Sequence, residues 1–110
     1  MPRYLQQVSY TPEGWAALIK KPQNRIEVVR PVIEKLGGKI ETAWFTFGEY
    51  DIVVILDLPD NVSAAAIAMA FAAGGACKAV KTTPLLSTSE AVEAMKKAAA
   101  SGYRAATAGA

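Results

Sequence analysis

From Ile52 to Leu58 the chain reads Ile-Val-Val-Ile-Leu-Asp-Leu, aliphatic at every position except Asp57. Aliphatic residues without polar alternation mark a strand covered on both faces. Side chains alternate across a strand, so Ile52, Val54 and Leu56 point one way while Val53 and Ile55 point the other. A chain of 110 residues makes one domain, and one layer of helices covers only one of these two sets. Open apolar faces of several hundred Å² are rare in soluble monomers. The run therefore predicts a sheet with helices on one side and a second copy of the chain on the other.

The flanking sequence supplies the remaining elements. Arg3 to Tyr10 carries β-favourable Tyr4, Val8 and Tyr10 and stops before Pro12, which predicts a first strand. Thr11 caps a short helix that has Pro12 at its first position, with Trp15, Leu18 and Ile19 at helical spacing. Pro22 interrupts it, and Asn24 caps a restart whose apolar stripe is Ile26, Val29, Ile33 and Leu36; Pro31 lies inside that stripe and predicts a bend. Gly37-Gly38 ends the helix. Lys39 to Phe47 alternates, with Ile40, Thr42, Trp44 and Thr46 on one face and Glu41, Ala43, Phe45 and Phe47 on the other, and the polar turn Gly48-Glu49-Tyr50-Asp51 joins it to Ile52–Leu58 as a hairpin.

Asp60 caps a helix over 61–73, with Val62, Ile67, Met69 and Phe71 among alanines, and Gly74-Gly75 stops it. A fourth strand runs from Ala76 to Leu86. Ser87-Thr88-Ser89-Glu90 is a capping box opening a last helix to about Ala100. The order βαββαβ with a terminal helix predicts an α+β, ferredoxin-like antiparallel sheet with helices on one face. Residues 1–100 form the domain; residues 101–110 have no apolar stripe and are expected to be a flexible tail.

The composition excludes several kinds of chemistry. There is no histidine, so imidazole acid–base catalysis, a Ser-His-Asp triad and His-ligated zinc are out of reach. Cys77 is the sole cysteine, which forbids an internal disulfide and suits a reducing, cytoplasmic setting. The formal net charge is +2 with no basic run longer than two lysines, which gives no nucleic-acid footprint. No stretch reaches the roughly 20 apolar residues of a membrane span, and the N-terminal residues carry no apolar core of a signal peptide. No carboxylate cluster has metal-binding spacing, and no cofactor is expected.

Phe47-Gly48-Glu49-Tyr50-Asp51-Ile52-Val53-Val54, followed by Leu58-Pro59-Asp60, resembles the signature of the GYD domain family, named for the residues that are here Gly48, Tyr50 and Asp51. The resemblance extends from Tyr10-Thr11-Pro12-Glu13-Gly14 through Leu36-Gly37-Gly38-Lys39 to Thr82-Thr83-Pro84, about residues 3–96. It implies a small bacterial, cytoplasmic domain of the dimeric α/β barrel type, a homo-oligomer with no assigned reaction. Its architecture is similar to that of ligand-sensing regulator domains and of cofactor-free monooxygenases, although fold alone does not transfer function.

Candidate functional residues gather at the hairpin. A carboxylate beside a phenol in Glu49-Tyr50-Asp51 could position a small ligand, whereas a purely turn-forming role would use Gly48 for its positive φ, Asp51 to bond its neighbouring backbone, and Tyr50 to cover the sheet edge. Trp15, Trp44, Phe45 and Phe47 could line a pocket or belong to core and interface. Lys78 and Lys81 fit an edge strand that resists aggregation, and Cys77 fits an inert thiol. The expected binding residues are Tyr10, Trp44, Glu49, Tyr50 and Asp51; no catalytic or metal-binding residue is assigned. The leading expectation is a self-associating domain with a small organic molecule in an inter-subunit or sheet-face cavity. The alternatives are a cofactor-free oxygenase, isomerase or cyclase, or a pure self-assembly scaffold.

Overall fold

Four side-chain caps set where the helices begin. In a computed structural model that describes residues 1–106, the Thr11 hydroxyl accepts from the Gly14 N–H, Asn24 Oδ1 from Ile26 N–H, the Asp60 carboxylate from Ser63 N–H, and the Ser87 hydroxyl from Glu90 N–H. Each satisfies a backbone donor that the first helical turn leaves free. The elements are β1 (Arg3–Tyr10), α1 (Pro12–Lys20), α2 (Arg25–Lys35), β2 (Lys39–Phe45), β3 (Ile52–Asp57), α3 (Asn61–Ala73), β4 (Cys77–Leu85) and α4 (Thr88–Ala100). Residues 107–110 of the expected tail lie outside the described residues.

The strands form one antiparallel sheet in the order β2-β3-β1-β4, the ferredoxin-like arrangement, with β1 beside β3 at its centre. The core lies on one face. Tyr4, Val8 and Tyr10 of β1, Ile40 of β2 and Ile52, Val54 and Leu56 of β3 pack with Ile33 of α2 and Ala64 and Ile67 of α3. Ile26, Val29 and Leu36 border this cluster as the stripe predicts. The Tyr4 hydroxyl donates to Asn61 Oδ1 at 2.7 Å and ties the start of α3 to the sheet. On the opposite, outer face Leu5, Val53 and Ile55 are half-buried and Trp44 is exposed.

Four features depart from the sequence reading. The β2–β3 register shifts between Ile40 and Thr42, so Ile40 pairs with Leu56, Ala43 with Val54 and Phe45 with Ile52, while Thr42 and Trp44 oppose Ile55 and Val53. Strict alternation thus fails at Glu41: a β-bulge adds one residue to the strand and moves Ala43 and Phe45 to the inner face with Ile40. β2 also ends at Phe45 rather than Phe47. On α3, Ala64 takes a buried place while Val62 and Met69 are exposed, because a helix made mostly of alanine buries whichever side lies nearest the sheet. Ile19 is likewise exposed.

Gly38 is required by close approach. A Cβ there would lie 2.3 Å from the Asp57 carbonyl oxygen and 2.6 Å from Leu58 Cδ2, so only a bare backbone fits between the start of β2 and the end of β3. Pro31 sits on the exposed side of α2, where the helix continues through it. Pro84 lies within β4, an edge strand, where a missing donor is tolerated. A second register shift, between Ser9 and Tyr10, leaves Lys78 as the extra residue of β4.

No residue of α4 is buried, and Val92 and Met95 are exposed on it. The radius of gyration is 17.9 Å and the long axis 61 Å against 31 and 22 Å, whereas a compact chain of this length would have a radius near 13 Å. Part of the chain therefore stands clear of the packed body. No helix of the described residues is long and apolar enough to cross a membrane.

Candidate functional site

Two arrangements could carry function, the turn after β2 and a cavity under the helices. The turn is held by its backbone. Gly48 has φ 145°, a value that favours glycine. The Ser9 hydroxyl donates to the Glu49 carbonyl at 2.8 Å, the Thr46 hydroxyl donates to the Tyr50 carbonyl, and the Asp51 N–H donates to the Val8 carbonyl at 2.8 Å. The Asp51 carboxylate does not bond its own neighbouring backbone, as the turn-forming role supposed. Its Oδ2 accepts from the Tyr10 N–H at 2.8 Å and from Trp15 Nε1–H at 3.2 Å. It thereby joins the hairpin to the end of β1 and to α1. The Trp15 ring meets Tyr10 edge to face, with centroids 5.2 Å apart and planes at 73°.

The cavity lies between the inner sheet face and α1, α2 and α3, and holds about 360 Å³. Its wall is mostly aliphatic, with Val8, Ile33, Ile52, Val54 and Phe71 among the lining residues. Five polar side chains also line it: Gln6, Tyr10, Gln23, Arg25 and Cys77. Burial pushes the Tyr10 phenol above its usual value; the Cys77 charge adds to the rise and Arg25 opposes it. Burial likewise raises the Cys77 thiol against an opposing effect of Arg25. Both groups are thus protonated at neutral pH, Tyr10 as a hydrogen-bond donor and Cys77 as a weak one.

Of the five residues expected to bind a ligand, Tyr10 lines this cavity, and Trp44, Glu49, Tyr50 and Asp51 are not among its lining residues. Trp44 belongs to the outer face, Glu49 is exposed, Tyr50 is half-buried, and the Asp51 carboxylate is engaged by Tyr10 and Trp15. The aromatic residues considered as a pocket are not brought together either: Trp15 packs on Tyr10, and Phe47 is exposed. Gln6 was missed by the sequence reading. Its signal was present, a glutamine in step with Tyr4, Val8 and Tyr10 on the apolar side of β1.

Among the described residues no group of three or more His, Cys, Asp or Glu is placed to hold a metal ion. The family model described as GYD domain matches residues 4–95. No curated protein and no solved structure matches the chain.

Proposed function

The chain belongs to the GYD domain family, and on that footing we propose that it is a self-associating domain that holds a small, largely apolar organic molecule between its sheet and its helices. The observation that carries this reading is the cavity. Interiors close-pack with few voids larger than a water molecule, and about 360 Å³ falls in the size range of small-molecule sites, roughly 300 to 1,000 Å³. Its aliphatic wall with a few polar groups is the composition of such sites.

Binding is favoured over the cofactor-free enzyme reading by the state of the wall. Proton abstraction needs a base near neutral pH, and burial moves both Tyr10 and Cys77 away from their ionised forms. The self-association part is supported by two apolar surfaces that the single chain leaves open, the outer face with Trp44, Val53 and Ile55 and the exposed Val92 and Met95 of α4. A helix of 13 residues is marginal in water without packing, and a second copy presents both surfaces at once.

Cys77 offers a direct test because it is the sole cysteine and lines the cavity. Its alkylation by iodoacetamide near pH 8, followed by mass spectrometry, is expected to run slower than that of a free thiol, since the thiolate is the reactive form. Adding 2-naphthol as a probe should slow it severalfold further by occupying the cavity. A rate that stays the same when 2-naphthol is saturating would contradict binding at this site.

A further inference from the structure

Gln6 occupies the centre of the inner face of β1, opposite Val54 on one side and Thr82 on the other. It is 1% exposed. Its Nε2 donates to Thr82 Oγ1 at 3.3 Å, and its Oε1 is buried with no hydrogen-bond partner among the described residues. Buried polar atoms are nearly always paired, and leaving one unpaired destabilises the fold. A leucine or methionine here would fill the same space without that penalty, so the glutamine is a liability to the empty protein.

Gln6 is also part of the cavity wall, where Val8, Ile33, Val54 and Leu56 are among its apolar companions. None of these can donate a hydrogen bond from its side chain, and Tyr10, Gln23, Arg25 and Cys77, which line the cavity and can donate, make no bond to Oε1. No aspartate or glutamate lines the cavity, so an ammonium group would find no counter-charge. A carboxylate would find its counter-charge at Arg25, not at Oε1, where acceptor would face acceptor. A neutral donor is the complement that remains. We infer that the cavity selects apolar molecules bearing a hydroxyl, phenols and alicyclic alcohols, whose O–H donates to Gln6 Oε1 while the rings fill the aliphatic space. This inference rests on the reading of the cavity as a binding site.

Titration calorimetry of the full chain with 2-naphthol and with 2-methoxynaphthalene tests it, because the two share a bicyclic body and the ether lacks the donor. The wild-type protein should bind 2-naphthol about five- to tenfold more tightly, the value of one hydrogen bond near 1 kcal/mol. Gln6→Met should abolish that preference while raising the melting temperature of the free protein. If both probes bind the wild type equally, or the ether binds better, the role of Gln6 is overturned while the cavity stands as a site. A preference that survives in Gln6→Met overturns it as well, independently of the wild-type comparison. If neither probe binds, the reading of the cavity fails and this inference falls with it.

Discussion

Replacing Val53 and Ile55 together by aspartate is expected to convert the proposed face-to-face dimer into folded monomers. Both side chains lie on the outer sheet face, beside Leu5 and Trp44 and away from the core cluster. The fold of the single chain should therefore survive the change. In a face-to-face dimer, by contrast, four carboxylates would enter an apolar interface without partners, and burying an unpaired charge costs several kcal/mol. A loss of only about 3 kcal/mol weakens association more than a hundredfold, which native mass spectrometry at micromolar concentration would read as loss of dimer. Unchanged assembly would place the interface elsewhere, and a wild-type monomer at that concentration would remove the face-to-face arrangement altogether.

Asp51→Ala is expected to lower stability by about 2 to 4 kcal/mol, because it strips a partner from two donors at once and each part-buried donor left unpaired costs about 1 to 3 kcal/mol. Those donors are the Tyr10 N–H and Trp15 Nε1–H. Chemical denaturation would show the loss as a lower midpoint with little change in slope. Trp15 fluorescence should change as well, since its indole would lose its acceptor. A variant as stable as the wild type would mean that the aspartate of the Gly48-Glu49-Tyr50-Asp51 turn is retained for something other than holding α1 and β1 to the hairpin.

The features legible in the sequence were those decided within a few residues. Thr11, Asn24, Asp60 and Ser87 each cap a helix by bonding an N–H two or three positions on, so the local pattern carries the whole interaction. The Ile52–Leu58 run marked the central β3 for the same reason, since its nearly unbroken apolar character is written in consecutive side chains. What escaped depends on distant partners. The bulge at Glu41 is a property of the β2–β3 ladder, and no residue near Asp51 announces that its carboxylate will reach Tyr10 and Trp15.

The candidate site followed the same division. The hairpin drew attention because Glu49, Tyr50 and Asp51 are adjacent, but adjacency at a turn does not form a wall. The cavity wall is drawn from all four strands and three helices, with Gln6 and Cys77 far apart in sequence and both on it. Tyr10 was included because β1 ends beside the hairpin. Gln6 breaks the apolar side of β1, a signal present in the sequence that gains its meaning from the residue's burial and its unpaired oxygen.

The most direct measurement is the location of a bound probe. Methyl-labelled protein saturated with 2-naphthol can be examined by intermolecular nuclear Overhauser effects from the naphthol ring protons. Val53 and Val54 are neighbours on opposite sheet faces, as are Leu5 and Leu56 across the β1–β3 pair, so the methyl groups separate the two faces cleanly. Effects at Val8, Ile33, Val54 and Leu56 are expected for a molecule held between sheet and helices. Effects confined to Leu5, Val53 and Ile55, or none at saturation, would contradict it.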